Sequence, residues 1–244
     1  MADLWEIGTA GIVEEPDGWR VFFDDSADID PLLRHYRRIA VEIRREQSRD
    51  WQLISREGWD PVLAGERFFI VPPWLNDAAP PGRIRLVIDT GMAFGSGRHE
   101  STQLMIEALE TYLMPAQSVL DVGCGSGILS AVCEALGAGC ALACDVDFES
   151  VKRAPLHTRA PAFVGSATAV QSASFDFVAV NISAEAIDSL AADLHRVAKP
   201  GGILLLAGFI EQNPPKHFQA ERVWQRNEWQ CWACRADAAY QLNR

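Results

Sequence analysis

The chain has 244 residues, of which 48% are hydrophobic, so it is long enough to bury one large core and suits a large domain with a small one. Its formal net charge of −11 argues against binding to nucleic-acid backbones, which normally requires a basic face, and is compatible with a basic protein partner. No run approaches the length of a membrane span, and the N-terminus M-A-D-L-W-E lacks the features of a signal peptide. We therefore expect a cytoplasmic protein.

Residues 1–49 predict a small α+β domain. Between residues 10 and 24, two short apolar runs flank Pro16-Asp17-Gly18, which is typical of a turn and predicts a hairpin. Leucines and aromatic residues at helical spacing predict a helix over residues 31–40, and alternation predicts an edge strand over residues 41–44.

A connector and a larger domain follow. Residues 50–83 are rich in tryptophan and end in a polar, proline-rich loop, which indicates an interdomain segment. From residue 84 to residue 244 strands and helices alternate, which predicts a mostly parallel, doubly wound α/β sheet. The predicted strands are 84–88, 118–120, 140–143, 162–164, 177–180 and 203–207, and the predicted helices are 101–113, 128–136, 148–154 and 186–198.

Residues 89–102, D-T-G-M-A-F-G-S-G-R-H-E-S-T, predict a glycine-rich lid before a helix. Its glycines supply flexibility, Phe94 supplies an apolar cover, and Ser101 or Thr102 at the helix start suits a cofactor carboxylate. An ordinary capped helix after a flexible loop, with His99 merely packed, explains the same residues equally well, because Ser and Thr are favoured caps.

Residues 118–129, S-V-L-D-V-G-C-G-S-G-I-L, predict a strand, a tight loop and a helix that together form a nucleotide-cofactor site. The strand ends in Asp121, and Gly123, Gly125 and Gly127 allow a sharp turn and a close approach to a ligand. A dinucleotide fingerprint requires G-x-G-x-x-G. The spacing D-x-G-x-G-x-G instead resembles motif I of the class I S-adenosylmethionine-dependent methyltransferases, in which this loop cradles the methionine end of the cofactor.

The next predicted strand ends at Cys144-Asp145-Val146-Asp147. A carboxylate at the tip of the second strand can accept hydrogen bonds from both ribose hydroxyls, and its distance from the glycine loop favours Asp145 for this role. For Asp147, which precedes a helical segment, we favour a helix cap.

Asn181 ends the strand F-D-F-V-A-V-N, at the carboxyl edge where open α/β sheets bind ligands. Its amide oxygen would accept a hydrogen bond from an incoming amine and aim the nitrogen lone pair at a methyl group. The alternative is a turn asparagine at a strand end. Ile182-Ser183 follows, so the N-P-P-Y type signature of nucleobase and glutamine methyltransferases is absent.

The six cysteines lie in or near apolar segments, and we expect reduced core thiols rather than disulfides. Cys231 and Cys234 form a C-x-x-C, but they lie in a predicted terminal strand without a second pair or a histidine cluster. Structural zinc needs four converging ligands, so we expect no metal site.

Four segments together resemble the PrmA family, which methylates ribosomal protein L11 of the large subunit. They are the lid of residues 89–102, L-D-V-G-C-G-S-G-I-L, D-F-V-A-V-N-I-S and P-G-G-I-L-L-L-A-G-F-I-E-Q, and the match runs from about residue 50 to the end. The resemblance implies methyl transfer to lysine ε-amines and an N-terminal α-amine of a ribosomal protein. It implies a cofactor and reaction site at Phe94, Gly95, Ser96, Thr102, Asp121, Gly123, Asp145 and Asn181, and we add the neighbouring Cys124, Gly125, Gly127 and Val146.

The sequence departs from the family pattern in three places. The family's N-terminal domain is a ferredoxin-like unit, whereas residues 4–8 here resemble only the tail of its first helix, so we expect a truncated α+β domain with an altered recognition surface. After the third strand the sequence reads Gly165-Ser166-Ala167 instead of an acidic residue, so the adenine contact would use Ser166 or backbone. The tail after Gln212 is also shorter than is usual in the family.

The expected chemistry is in-line displacement at the sulfonium methyl by a neutral amine, without a metal. Apart from His99, a weak candidate, the sequence shows no obvious general base. Three alternatives remain at this point. They are a methyltransferase of the same fold acting on another protein or a small amine, a non-catalytic S-adenosylmethionine-binding interaction protein, and a nicotinamide oxidoreductase, which the glycine spacing disfavours.

Overall fold

The computed structural model describes residues 11–15, 18–23, 27, 29–36, 60–89 and 95–237. The chain divides into two compact units, Met1–Glu57 and Gly58–Arg244. In the first unit, β1 (Gly11–Glu15) pairs antiparallel with β2 (Gly18–Phe22), which confirms the predicted hairpin.

The helix predicted over residues 31–40 is present as α1 (Asp30–His35) in the described part of the first unit. The strand predicted over residues 41–44 lies outside the described residues, as do residues 4–8 and the first part of the connector, residues 50–59. The truncated ferredoxin-like arrangement and the three-part division of the chain therefore stay predictions.

The second unit contains a small three-stranded sheet. In it, β4 (Phe68–Val71) pairs antiparallel with β3 (Val62–Ala64) and parallel with β5 (Ile84–Val87). The prediction that residues 84–88 begin the large sheet is therefore wrong. The physical reason is that β4 is buried along its whole length, so the backbone groups on both of its edges need hydrogen-bond partners. β3 supplies them on one edge and β5 on the other.

A second sheet forms the centre of this unit, and in the part that the structure describes it has seven strands. These are β6 (Ser118–Val122), β7 (Cys140–Asp145), β8 (Ala162–Val164), β9 (Phe175–Asn181), β10 (Ala198–Ile210), β11 (Arg222–Arg226) and β12 (Trp229–Arg235). Their order is β11-β12-β10-β9-β6-β7-β8. The strands from β10 to β8 pair in parallel, and β12 and β11 add an antiparallel edge.

Helices cover both faces of this sheet, which confirms the predicted doubly wound fold. They are α2 (Glu100–Tyr112), α3 (Ile128–Ala135), α4 (Phe148–Arg153), α5 (Ala184–Ser189) and α6 (Ala191–Val197). Alternate residues of the strands face opposite layers, as the two-residue period requires. Val119 and Phe177 pack with α2 and α3, whereas Leu120 and Val178 pack with α5 and α6. Within the described residues no helix is long and apolar enough to cross a membrane.

One helix prediction is wrong in detail. Residues 186–198 were expected to form a single helix, but α5 and α6 are separated at Leu190, whose backbone (φ −97°, ψ 0°) leaves the α region. Ser183 caps the start of α5 by accepting a hydrogen bond from Ala186 N. Ala198 already belongs to β10. The sequence contains no glycine or proline at residues 184–198 that would indicate this break.

The parallel pairing places the carboxyl ends of three strands next to each other, at one edge of the sheet. Val122 at the end of β6 is opposite Cys144 of β7 and Val180 of β9. Asp145 and Asn181 are the last residues of β7 and β9, so both emerge beside the loop that follows β6. This is the edge at which open α/β sheets bind ligands.

At the opposite edge, Asp176 ties together the starts of three strands. Its carboxylate accepts hydrogen bonds from Ser118 N (2.9 Å), Ser118 Oγ (2.6 Å) and Lys199 Nζ (2.8 Å). The Lys199 ammonium and the Ser118 hydrogen bonds lower the pKa of this carboxyl to about 2. Because of these contacts, Asp176 stabilises the sheet without taking part in the site.

We expect Asp176→Asn to lower the free energy of unfolding by about 1–2 kcal/mol, because at least the charged bond to Lys199 is lost. The matched control is Glu149→Gln, which removes an exposed pair with Lys152 and should cost less than about 0.5 kcal/mol. Urea unfolding measures both. Equal values for the two variants would contradict a stabilising role for Asp176.

Candidate active site

The glycine loop after β6 turns sharply around the end of β7. Gly123 N and Cys124 N both donate hydrogen bonds to Cys144 O, at 2.8 and 3.0 Å. Gly123 has φ +73°, and a Cβ there would collide with the Ile182 side chain. Close packing within the protein therefore requires glycine at this position. The other two motif glycines, Gly125 and Gly127, also have positive φ.

Asp121 lies beneath this loop and is fully buried. Its Oδ2 accepts hydrogen bonds from Ser130 N (3.0 Å) and Ser130 Oγ (2.7 Å), so it anchors the first turn of α3 to β6. Oδ1 has no hydrogen-bond partner in the part of the chain that the structure describes. Burial raises the pKa of this carboxyl to about 6, against the opposing effect of the Ser130 hydrogen bonds. A direct contact between Asp121 and the cofactor stays a prediction.

Asp145 is placed beside the glycine loop. Its Oδ2 accepts a hydrogen bond from Gly125 N and its Oδ1 accepts one from Asp147 N, each at 2.9 Å. The side chain is partly exposed. Since a carboxylate oxygen can accept more than one hydrogen bond, both oxygens retain capacity for ribose hydroxyls. Asp147 caps α4 through Glu149 N and Ser150 N, as predicted.

Exposed apolar side chains follow Asp145. Val146 is 78% exposed, and Phe148, which the sequence indicated only as a helix start, is 59% exposed. Gly165 N donates a hydrogen bond to Asp145 O, and this bond brings Ser166 next to the same strand end. Ser166 itself caps the short 3-10 turn that begins at Ala167. Exposed apolar side chains and a hydroxyl therefore follow the ends of β7 and β8, and an adenine contact there stays a prediction.

Within the lid the structure describes Asp89 and the residues from Gly95 onward, and Phe94 lies outside the described residues. Gly95 O accepts a hydrogen bond from Ser126 Oγ at 2.8 Å, so the lid contacts the glycine loop. Ser96 Oγ accepts one from Arg98 N at 3.3 Å.

The cap of α2 differs from either interpretation of the sequence. His99, not a serine or threonine, is the N-cap, and its Nδ1 accepts a hydrogen bond from Ser101 N at 3.2 Å. The ring also contacts Trp229 edge-on, with centroids 4.4 Å apart. Ser101 and Thr102 are buried instead. A histidine acceptor replaces the usual hydroxyl cap, which leaves the Thr102 hydroxyl available to another partner.

That partner is Asn181. Its Nδ2 donates to Thr102 Oγ1 at 3.4 Å. Its Oδ1 is buried and has no hydrogen-bond partner among the residues that the structure describes. Because a buried unpaired carbonyl oxygen is costly, this atom is a candidate acceptor for a donor brought by a ligand.

All six cysteines are free. Cys231 packs with the α2–α3 layer and Cys234 with the α5–α6 layer, so the two point to opposite faces of the sheet. Burial raises the pKa of the Cys234 thiol to about 12. The described residues contain no cluster of three or more side chains able to hold a metal ion.

Two residues that the sequence did not single out connect the glycine loop to its surroundings, one within the loop and one outside it. Ser126, which is fully buried, bonds the lid, and His157 Nδ1 lies 2.7 Å from Ser126 O. Ser126 lies between two motif glycines, so its position in the sequence could have indicated that it belongs to the site. His157 lies outside every motif, and no local pattern indicates its contact.

Comparison with known proteins shows which family the chain belongs to. The model of the family described as ribosomal protein L11 methyltransferase (PrmA) matches residues 22–237. The chain belongs to the PrmA family. The family members with similar sequences include the ribosomal protein L11 methyltransferases of Cupriavidus necator and Burkholderia multivorans. The first is 35% identical over 188 residues, covering 76% of this chain and 62% of the relative. The second is 32% identical over 248 residues, covering 93% and 82%.

Among solved PrmA-related structures, the ribosomal protein L11 methylase of Lactobacillus delbrueckii subsp. bulgaricus has the same fold. It superposes with a TM-score of 0.64 at 26% identity, covering 71% of this chain and 95% of the other. The methyltransferase fold predicted from the motifs is thereby confirmed. The chain spans 62% of the length of its Cupriavidus relative.

The buried Asp121 predicts an unusual pH dependence of stability. Its folded pKa of about 6 lies above the usual 3.8, so the folded protein binds more protons than the unfolded chain between these values, and stability falls as pH rises. Relative to Asp121→Asn, the wild type should lose on the order of 3 kcal/mol of unfolding free energy between pH 3.5 and 7. Chemical denaturation at several pH values measures the difference. Parallel pH profiles for the two proteins would refute it.

Proposed function

We propose that this PrmA-family protein is an S-adenosylmethionine-dependent N-methyltransferase that acts on lysine ε-amines or N-terminal amines of a ribosomal protein. The observation that carries the proposal is the buried, unpaired Oδ1 of Asn181 at the strand edge shared with the glycine loop and Asp145. Such an acceptor suits an amine nucleophile, whose N–H groups can donate to it and orient its lone pair.

The residues fit the cofactor at several points. The loop from Gly123 to Gly127 would receive the methionine end, and Asp145 would bind the ribose hydroxyls with the capacity left on its two oxygens. Val146 and Ser166 would contact the adenine, and Gly95 and Ser96 would complete the methionine side. When bound, S-adenosylmethionine supplies an electrophilic methyl group on its sulfonium.

The chain's own contribution to the reaction is to position and desolvate the amine. Thr102 Oγ1 binds Asn181 Nδ2, so the amide turns its oxygen toward an incoming N–H donor. A neutral amine that donates to Oδ1 has its lone pair fixed in direction. Lysine has an unperturbed pKa of about 10.4, and removal from water favours its neutral, nucleophilic form. Proximity and alignment supply much of the remaining rate.

His99 is not well placed to act as the general base in this scheme. Its Nδ1 already accepts a hydrogen bond from Ser101 N and lies 2.8 Å from Ser101 Oγ. We therefore propose that the acceptor ammonium gives its proton to bulk water as it enters the site, before methyl transfer, with desolvation as the driving effect.

The acceptor that fits best is a basic protein. Relatives are named for ribosomal protein L11, and the net charge of −11 on this chain complements a positively charged partner. We propose that the protein meets this ribosomal substrate in the cytoplasm and binds neither nucleic acid nor membrane directly.

The experiment is transfer of labelled methyl groups from S-adenosylmethionine into purified ribosomal protein L11, with a total cytosolic extract assayed beside it. Labelling of L11 is the expected result. Labelling only of other extract components would identify a methyltransferase of the same fold with another protein or small amine as its acceptor. Cofactor binding without transfer in either sample would favour a non-catalytic binding protein.

Asn181→Ala should lower kcat by about 100-fold while changing the cofactor Kd less than about threefold, because it removes an interaction with the amine and not with the cofactor. Steady-state methyl transfer and calorimetric titration measure the two quantities. Asn213→Ala, which removes an exposed asparagine side chain, serves as the matched control and should leave both unchanged. Unaltered kcat in Asn181→Ala would exclude the orienting role.

A further inference from the structure

A continuous chain of hydrogen bonds joins both sides of the lid to the glycine loop. Asp89 N, at the start of the lid, donates to His157 Nε2 at 2.9 Å. His157 Nδ1 lies 2.7 Å from Ser126 O, and Ser126 Oγ donates to Gly95 O at 2.8 Å. One motif residue, Ser126, is thereby linked to Asp89 through His157 and to Gly95 directly.

The partners of His157 define which tautomer of the ring fits. A backbone N–H only donates, so Nε2 must accept from Asp89. A backbone carbonyl only accepts, so Nδ1 must carry the proton that is donated to Ser126. The neutral Nδ1–H tautomer alone satisfies both neighbours. Alanine would supply neither bond, whereas glutamine carries a donor and an acceptor on one amide.

Packing at Gly95 restricts the residue type at the other contact, the hydrogen bond from Ser126 Oγ to Gly95 O. Gly95 has φ +108°, and a Cβ there would overlap Ser126 Oγ. Ser126 is fully buried, so its hydroxyl has no access to water as a substitute partner. The lid backbone at Gly95 therefore touches the glycine loop directly, in a contact that only glycine permits.

We propose that His157 and Ser126 form a clamp that holds the lid backbone at Asp89 and Gly95 against the glycine loop, and that this clamp preorganises the cofactor site. The inference rests on the proposed function, since it concerns how Gly95 and Ser96 are presented to S-adenosylmethionine. His157 is a positioning residue, because it acts through Asp89 and Ser126. Without it, cofactor binding must also fix the backbone at Asp89 and Gly95, which weakens binding.

The test is calorimetric titration of S-adenosylhomocysteine into the wild type, His157→Ala and His157→Gln, with thermal melting of each. We expect His157→Ala to bind about tenfold more weakly and His157→Gln to recover most of the loss, because its amide can replace both bonds. His217→Ala removes an exposed histidine side chain and should bind like the wild type.

A second variant tests the other half of the clamp. Ser126→Ala keeps the carbonyl that pairs with His157 but removes the bond to Gly95, and should also weaken binding about tenfold. The double variant should lose less binding free energy than the sum of the losses in the two single variants, because both side chains hold the same lid backbone. If His157→Ala does not fold, Ser126→Ala and His157→Gln carry the test, with weakened binding in the former and near-normal binding in the latter.

The outcomes separate this inference from the proposed function. If His157→Ala binds S-adenosylhomocysteine as tightly as the wild type, the clamp is overturned and the methyltransferase proposal stays intact. If His157→Ala does not fold, the same result in Ser126→Ala overturns the clamp. Absence of S-adenosylhomocysteine binding by the wild type would overturn both. Weaker binding in His157→Ala without recovery in His157→Gln, together with a lowered melting temperature in both, would show a merely structural histidine and would also overturn the clamp.

Discussion

The parallel pairing of β6 with β7 on one side and β9 on the other is the constraint on which the rest of the site depends. It brings the glycine loop, Asp145 and Asn181 to one edge, although they are far apart in the chain. The backbone bonds of Gly123 and Cys124 to Cys144 O continue this pairing into the loop. The groups that we propose for two parts of the cofactor and for the substrate amine are consequently held by a rigid sheet.

Polar groups beneath the surface then connect this edge to its surroundings. Asp121 fastens α3 through Ser130, Thr102 of α2 holds the Asn181 amide, and Ser126 contacts the lid. Each of these side chains spends some of its hydrogen-bonding capacity inside the protein. The remaining capacity, chiefly on Asn181 Oδ1 and on the two carboxylate oxygens of the partly exposed Asp145, is what a ligand can use.

The sequence predicted those features whose physical cause is local. Glycine spacing, the carboxylates near the ends of β6 and β7 and the Asp147 cap are set by residues adjacent in the chain, and the structure has all of them. It did not predict the partner of β5, because strand pairing depends on the free edge of β4, or the break at Leu190, which no residue type indicates. His157 was missed because its bond to Asp89 spans 68 residues.

A crystal structure of the protein with S-adenosylhomocysteine would test the central claim most directly. The account predicts ribose hydroxyls on the Asp145 carboxylate, the homocysteine against the glycine loop, and the sulfur facing the Asn181 amide oxygen across a space the size of a methyl group and an amine. A nucleoside bound away from Asp145, or a sulfur remote from Asn181, would contradict the assignment of this strand edge as the methyl-transfer site.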